Sequence, residues 1–342
     1  MLLIDLSNLL HRNMHVLDEL TDSRGNSTGG AFGCINSIHK MLKQKKYREP
    51  CICFSDLGIP LFRRELHSEY KPHKKPIDTG GLGDLSKLYS DINKNPVELD
   101  LEKESFLRKY KFNKDLLVQK LLPALGIPVI QVPNTEADDI IALWTKTVRD
   151  EYNTVVTSDK DMLQLVDDNT EWVDPIRDVT HDKASFIQTF DLVPERYQFQ
   201  YKMLKSIQGD SSDNIWSIEG IGGTTAARLA RQFAEGVPFE EIERPKRCSS
   251  KGFENFKKSK DHIFNNLKLV DANYIFDNNL PVLEEMKQGL RSQAMVAPDE
   301  YLANAHLKDY SMISALEKVP YIVQTQYNLD YFDIIKRYFS NN

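Results

Sequence analysis

The stretch Thr154-Val155-Val156-Thr157-Ser158-Asp159-Lys160-Asp161 joins a short run of β-branched residues to two carboxylates. Met1–Asp5 and Cys51–Asp56 repeat the arrangement, since in each of them four apolar residues lead to an aspartate. Runs of this kind predict short buried strands. Strands that alternate with helix-like stretches, as here, favour a parallel sheet whose site forms at the carboxyl ends of the strands. The sequence therefore predicts an α/β fold with the three acidic ends at one edge.

Acidic residues form five groups between positions 5 and 213. A fold that gathers them must offset their repulsion, because neighbouring carboxylates raise each other's pKa unless a cation neutralises them. Hard divalent cations such as Mg2+ prefer oxygen ligands of this type. The pattern therefore indicates a metal-dependent enzyme that acts on phosphates. The candidate metal ligands are Asp5, Asp56, Glu136, Asp138, Asp139, Asp159, Asp161, Asp210 and Asp213.

Two of these groups also have local explanations. Glu136-Ala137-Asp138-Asp139 is typical of a helix start that Thr135 caps, with Asp138 completing a capping box, and acids at this place also satisfy the helix dipole. Capping does not require all three acids, so the surplus charge indicates a function. Asp159-Lys160-Asp161 does not begin a calcium loop, because Gln164 and Thr170 stand where glycine and glutamate are required.

The charge balance is acidic overall but unevenly distributed. The chain has 342 residues and a formal net charge of −6 at pH 7, which by itself argues against a nucleic-acid binder. A basic rim around an acidic, metal-filled pocket is nevertheless compatible with a phosphate-backbone substrate. Each basic run alone is more typical of a solvated face, and only the placement of the runs around the acidic motifs favours a binding role. The basic runs cover 40–48, 63–75, 103–120 and 246–260.

Cysteine spacing and hydropathy predict the surroundings of the protein. The four cysteines show no paired CxxC spacing, so we expect reduced thiols and a cytoplasmic location. No run of about 18 apolar residues occurs and the N-terminus lacks a signal-peptide pattern, so we expect no membrane contact. A monomer is expected.

A glycine-rich turn follows the last acidic group. Ile218–Ala227 places Gly220, Gly222 and Gly223 between two helical patterns. Glycines allow a tight turn and expose backbone amides to a phosphate at the N-terminus of the next helix. Such turns are commonly structural, but the aspartate pair just upstream makes this one a candidate clamp on a DNA backbone.

In this order the motifs resemble the 5′-nuclease superfamily, which includes flap endonucleases, the 5′-exonuclease domain of bacterial DNA polymerase I, and phage RNase H. The resemblance spans residues 1–235 and is closest in style to phage RNase H. It implies a PIN-like, mostly parallel central sheet flanked by helices, a helical arch or gateway, and a helix-turn-helix-type (H3TH/helix-hairpin-helix) DNA-binding module. The motifs are Ile4-Asp5 with Arg12, Phe54-Ser55-Asp56, Tyr70-Lys71, Glu136 to Asp139, Ser158 to Asp161 with Gln164-Leu165, and Gly209 to Ala226.

The resemblance also implies a division of the chain. An α/β nuclease domain covers 1–185, with the arch at about 62–115, and a helical DNA-binding module covers 186–243. Residues 244–342 then form a basic linker and a C-terminal helical extension. The glycine-containing stretch 76–95 is expected to order on DNA as a gate.

The resemblance implies two Mg2+ ions, for which Mn2+ substitutes, and a K+ ion at the carbonyls near Gly220 and Gly222. Two metals about 4 Å apart would activate a water and stabilise the leaving oxygen. Asp138 would lie between them, with Asp139 and Asp210 in support. By the same resemblance one metal would bind Asp5, Asp56 and Asp138, and the other Glu136, Asp159, Asp161 and, through water, Asp213.

Substrate contacts follow from the same resemblance. Arg64 and Lys71 would reach the scissile phosphate and, with Asp138, form the catalytic set. Gly223 and Thr224 replace the proline and lysine usual in the family, so one phosphate-binding charge is missing unless Arg228 or Arg231 supplies it. The expected DNA-binding residues are Arg63, Tyr70, Lys74, Lys75, Gly220, Gly222, Gly223, Thr224 and Arg228.

The implied function is a structure-selective 5′-nuclease, a 5′-3′ exonuclease or flap endonuclease with RNase H-type activity. Its substrates would be DNA and RNA–DNA hybrids with a free 5′ end or flap, as in the removal of RNA primers from Okazaki fragments. A PIN-type ribonuclease and a non-catalytic DNA-junction-binding protein are the alternatives. A sliding clamp and a single-stranded-DNA-binding protein are expected partners. Tyr331–Phe339 loosely resembles clamp-docking peptides but lacks their usual glutamine, so the pattern favours a terminal helix that closes the core.

Overall fold

The structure of the protein, a computed structural model, describes residues 1–44, 50–71, 101–292, 297–327 and 331–339. The side chains at 101–104 and 332 stand outside this description. The predicted strand contacts Lys74 and Lys75 and the predicted gate at 76–95 also lie outside the described residues.

A six-stranded sheet forms the centre of the molecule, with strand order β3-β2-β1-β4-β5-β6. The first five strands are parallel, and β6 runs antiparallel to β5. This arrangement confirms the predicted α/β class and the mostly parallel sheet. The strands are β1 (Leu2–Asp5), β2 (Cys51–Phe54), β3 (Val129–Ile130), β4 (Asn153–Val156), β5 (Thr170–Asp174) and β6 (Val179–His181).

Strand register brings the acidic ends together. Asp5 lies opposite Phe54, two residues before Asp56, and Ile4 lies opposite Val156. The carboxyl ends of β1, β2 and β4 therefore meet at one edge of the sheet, as the sequence predicts.

Helices cover both faces of the sheet. Because successive strand residues point to opposite faces, Leu2 and Ile4 enter one hydrophobic core while Leu3 enters the other. The apolar runs of the strands are therefore buried on both sides, as in other parallel sheets. The helices of this part are α1 (Leu6–Val16), α2 (Gly29–Lys43), α3 (Leu61–Leu66), α4 (Leu101–Leu116, continued by a π-helical turn Leu117–Leu121 and a last turn Leu122–Ala124) and α5 (Ala137–Thr147).

A group of helices with its own core follows the sheet. Met203, Leu229, Phe256 and Ile263 share this core. The stretch 244–260 was expected to be a linker, and that expectation is wrong: it contains a helix whose Phe256 is fully buried, because phenylalanines spaced three apart give this basic run an apolar face. The helix α6 (Lys183–Phe190) precedes this group and packs in the core of the sheet through Phe186. The helices of the group are α7 (Tyr197–Gln208), α8 (Gly223–Ala234), α9 (Ser250–Lys258) and α10 (Lys260–Val270).

The remaining helices return to the sheet and pack on both of its faces. Tyr331 and Phe339 lie 6.2 and 5.7 Å from the Trp144 ring, measured between centroids. Both are buried, so the terminal segment closes the core and does not present these rings to a sliding clamp. The helices are α11 (Tyr274–Asp277), α12 (Val282–Ser292), α13 (Glu300–Asp309), α14 (Val319–Gln326) and α15 (Tyr331–Tyr338).

The expected domain boundaries near 185 and 243 stay predictions. In the described segments, no helix is both long enough and apolar enough to cross a membrane.

Candidate active site

The carboxylates at the ends of β1 and β2 are held by neighbouring backbone and hydroxyl groups. Asp5 caps α1 by accepting the Asn8 amide at 3.0 Å, and it accepts the Thr157 hydroxyl at 2.9 Å. Asp56 accepts the Ala137 amide at 2.9 Å. These bonds tie the end of β1 to the end of β4 and the end of β2 to the start of α5, and β1 and β2 are themselves paired, so the strand ends and the helix start are neighbours.

The start of α5 differs in detail from the prediction. Glu136, and not Thr135, is the N-cap residue, and the Thr135 hydroxyl donates to the carbonyl of Pro133 at 3.2 Å. The predicted capping box is wrong because the carboxylate of Asp56, distant in sequence, accepts the first helical amide, that of Ala137. The acids of this group are thereby released from local capping.

The group that follows β4 forms a short helical turn. Asp159 caps the 3-10 helix Lys160–Leu165 by accepting the Asp161 amide at 2.8 Å. The Asp161 carboxylate pairs with the ammonium of Lys205 at 2.5 Å. Lys205, on α7, was not predicted as a site residue, and the helical pattern around it gives no local signal of this ion pair.

Arg63 and Tyr70 lie inside the protein and are not positioned to contact a DNA strand. Arg63 is 3 % exposed, and its guanidinium donates to Glu136 at 2.9 Å and to both oxygens of Asp139 at 2.7 Å. The Tyr70 hydroxyl lies 2.9 Å from a Glu136 oxygen and 3.1 Å from an Asp213 oxygen, so the two carboxylates share its single donor hydrogen. The predicted DNA-binding roles of Arg63 and Tyr70 are therefore corrected. The guanidinium of Arg63 is paired with buried carboxylates, and the Tyr70 side chain is buried, so neither is accessible to DNA.

Lys71 lies directly on the carboxylate cluster. Its ammonium donates to Glu136 and lies 3.3 Å from Asp213. Arg64 donates to the Lys71 carbonyl at 2.9 Å, and Lys71 itself adopts a left-handed φ of 43°. A non-glycine residue in this region is uncommon and is often found at functional sites.

The loop after α7 contributes Asp213 to the cluster, whereas the Asp210 carboxylate bonds to Ser212 of the same loop. Asp210 accepts the Ser212 amide at 2.8 Å and its hydroxyl at 2.6 Å. Asp213 lines the same cleft as Glu136, Asp138, Asp159 and Asp161.

Crowding of carboxylates raises their pKa values. Burial and the charges of Asp56 and Asp159 raise the pKa of Asp5 to about 7. Burial and the charge of Asp159 likewise raise the pKa of Asp161 to about 7, although Lys205 opposes the rise.

Asp138 lies electrically at the centre of the cluster. Burial, followed by the charges of Asp5, Asp159 and Glu136, raises the pKa of its carboxyl well above the ordinary range. Within the described residues this carboxylate makes no hydrogen bond, whereas Glu136 and Asp139 are heavily bonded. Among these acids, Asp138 is therefore the one whose ionised form a bound cation would stabilise most.

The donor set fits hard divalent cations, because every side chain concerned offers carboxylate oxygen. In the part of the chain that the structure describes, no three His, Cys, Asp or Glu side chains are gathered closely enough to hold a metal ion as they stand. Lys71 and Lys205 bind oxygens of Glu136 and Asp161, respectively. Asp139 differs, because its two oxygens are bound by Arg63.

The glycine turn presents an exposed helix start. Gly222 is the N-cap of α8 and Gly223 its first residue, and Gly220 adopts a φ of 82° against the backbone of Gly252. Arg231 forms ion pairs with Asp191 and Glu235, whereas Arg228 is exposed. Arg228 is therefore the better placed of the two to replace the missing lysine.

Comparison with known proteins identifies the family. The model described as "5′-3′ exonuclease, N-terminal resolvase-like domain" matches residues 1–95 and 109–192, which is more than half of the chain. The chain belongs to the 5′-3′ exonuclease family. DNA polymerase I of Treponema pallidum is 32 % identical over 241 residues, which cover 68 % of this chain and 20 % of that polymerase. The 5′-3′ exonuclease of Aquifex aeolicus is 23 % identical over 233 residues and is covered to 68 %, as is this chain.

Two further relatives show how much of a longer protein this 5′-3′ exonuclease family member matches and which fold it shares. Thermostable DNA polymerase I of Thermus thermophilus is 28 % identical over 240 residues, so the chain spans about a quarter (24 %) of that relative and is matched over 68 % of its own length. A solved structure of T5 5′-exonuclease with bound zinc superposes with a TM-score of 0.61 at 19 % identity, covering 93 % of this chain and 99 % of the T5 chain. The T5 likeness supports the PIN-like fold.

Proposed function

We propose that this protein is a structure-selective, divalent-metal-dependent 5′-nuclease. It hydrolyses phosphodiester bonds at free 5′ ends or flaps of DNA and of RNA–DNA hybrids, and removes RNA primers during replication. One observation carries the proposal: in a member of the 5′-3′ exonuclease family, carboxylates from the end of β4, the start of α5 and the loop after α7 share a cleft in which Asp138 has no hydrogen-bonding partner among the described residues.

The carboxylates are the groups that would hold two divalent cations. One ion would be held by Asp5, Asp56 and Asp138 and the other by Glu136, Asp159 and Asp161, with Asp138 between the two. When bound, a metal pair lowers the pKa of a water molecule and neutralises charge on the phosphate and the leaving oxygen. Asp213 contributes through water, and Asp210 supports the loop that carries it.

The basic residues at the cleft would orient the phosphate. The Lys71 ammonium pairs with Glu136 at the cleft, which is where it would contact the scissile phosphate. Arg64 holds the Lys71 carbonyl and thereby its backbone position. An ammonium aimed at a developing charge acts mainly on the transition state.

The glycine turn would hold the duplex. Exposed amides at the start of α8, with Thr224 and Arg228 beside them, suit a phosphate at a helix N-terminus. A K+ ion near Gly220 and Gly222 belongs to the same proposal. Relatives support a DNA substrate: several are named DNA polymerase I, and a solved T5 D15 flap endonuclease is described as a complex with DNA and metal ions.

The test is a cleavage assay with 5′-labelled flap, nicked, RNA–DNA and single-stranded RNA substrates, with Mg2+, with Mn2+ or with EDTA. We expect cleavage of the flap and hybrid only with metal, and loss of about 10³-fold or more in rate for Asp138→Asn. Asp333→Asn, an exposed aspartate on α15, is the matched control and should cleave normally. Cleavage in EDTA would refute the metal proposal, and cleavage of single-stranded RNA alone would favour a PIN-type ribonuclease. Binding without any cleavage would favour a junction-binding protein.

A further inference from the structure

The last turn of α10 forms part of the catalytic cleft. The 269–272 segment consists of the last two residues of α10, Leu269 and Val270, and the two that follow, Asp271 and Ala272. Although α10 belongs to the helical group that follows the sheet, three of these four residues line the cleft beside the carboxylates. The segment therefore connects the helices to the acids.

Arg63 joins this segment to one half of the acid cluster. Its Nε donates to the carbonyl of Leu269 at 3.0 Å, while its two terminal nitrogens bind Glu136 and Asp139. The planar guanidinium reaches three residues on two elements, α5 and α10, at fixed angles, which a lysine ammonium does not. The orientation of Glu136 therefore depends on where α10 ends.

Gln164 joins the same segment to the other half. It is 2 % exposed, and its amide nitrogen donates to the carbonyls of Val270 at 2.9 Å and Asp161 at 2.8 Å. Its amide oxygen accepts the backbone amide of Ala272 at 3.0 Å. The turn that carries Asp161 is thus also bonded to the end of α10.

A third contact fixes the segment to α7. Lys202 pairs with Asp271 at 2.7 Å, and both side chains are largely shielded from solvent. The 269–272 segment is therefore held by α7 on one side and by two buried polar side chains on the other.

We propose that Arg63 and Gln164 are positioning residues that bind the end of α10 to both halves of the carboxylate cluster. They set the spacing between Glu136 and Asp161, and so the affinity of the cleft for divalent cations. The inference rests on the proposed metal-dependent function. Mutation of a group that orients a metal ligand commonly lowers metal affinity by a factor of about 10 to 100.

The variants separate positioning from simple stabilisation. Arg63→Lys keeps the buried positive charge but loses the three-way contact, and Gln164→Met keeps the side-chain length but removes all three hydrogen bonds. Asn153→Ala is the matched control: Asn153 is fully buried at the start of β4, at the opposite edge of the sheet, and donates to the carbonyls of Val148 and Glu151 at 3.1 and 3.2 Å.

Mg2+ and Mn2+ affinity is measured by calorimetry on the full chain without DNA, and the melting temperature is measured beside it. We expect both site variants to bind Mg2+ roughly 10- to 100-fold more weakly, and the control to lose melting temperature with unchanged Mg2+ affinity. The double variant should lose less than the product of the two single losses, because both act through one segment.

Folded Arg63→Lys and Gln164→Met proteins that bind Mg2+ as tightly as the wild type would overturn the inference. So would a fall in affinity that the control shares in proportion to its loss of melting temperature. If the wild type binds no divalent cation and cleaves nothing, the proposed function fails, and this inference with it. A wild type that binds metal, with variants that match it, refutes this inference alone.

Discussion

Replacing Asp5 by asparagine should stabilise the metal-free protein at alkaline pH. The pKa of Asp5 is raised from 3.8 to about 7, so the folded state keeps a proton that the unfolded chain releases above about pH 4. Stability is therefore lost as the pH rises from about 4 to about 7 and stays low above that range. A rise of about three in pKa corresponds to about 4 kcal/mol when the carboxylate is fully ionised.

Asparagine removes this penalty at a small structural cost. Asp5 accepts two hydrogen bonds from different partners, Asn8 and Thr157, and the asparagine oxygen replaces one of them well, so about 1 kcal/mol is lost at all pH values. The net gain for Asp5→Asn is then about 3 kcal/mol at pH 8 and less than about 1 kcal/mol at pH 5.

The assay is urea unfolding in EDTA at pH 5, 6, 7 and 8, with the wild type and Asp5→Asn compared at each pH. Comparison of the two proteins cancels the titration of groups far from Asp5, including the histidines. Adding Mg2+ at pH 8 should stabilise the wild type and leave the variant nearly unchanged, since ligand binding to the folded state adds stability. A stability difference that does not change between pH 5 and pH 8 would refute the electrostatic reasoning.

Three further outcomes are expected. Lys71→Ala should lower turnover by about 10²- to 10³-fold while duplex affinity falls only by one phosphate contact, and equal losses in the two would contradict a role at the scissile phosphate. Lys205→Met removes a charge that lowers the pKa of Asp161, so the acid limb of the pH–rate profile should move to higher pH; an unmoved limb would rule out this coupling. Deleting residues 331–342 uncovers Trp144 and should lower the melting temperature without changing clamp binding, measured by thermal melting and a pull-down.

Local sequence was sufficient for the elements that carry the acids. The apolar runs that precede Asp5, Asp56 and Asp159 form parallel strands, and the parallel sheet places their ends at one edge whatever the rest of the chain does. The family membership also follows from motif order. These features depend on residues close together in the chain, whose periodicity the sequence displays.

The partners of the site residues were not predictable in this way. Arg63 lies in a basic run that is typical of a solvated face, yet it is buried and donates to a carbonyl 206 residues away. The ion pair of Lys205 was not predicted, and the N-terminal cap of α5 differs from the prediction, for the same reason. Each depends on a carboxylate supplied by another element.

The sequence by itself determined the sheet, the set of acids and the family. Only the tertiary structure decided which bases neutralise which acids, that the run 244–260 contains a buried helix, and that the end of α10 lies in the cleft. The physical reason is that strand and helix periodicity is a property of neighbours in the chain. Ion pairs and buried hydrogen bonds instead depend on which distant groups lose their water together.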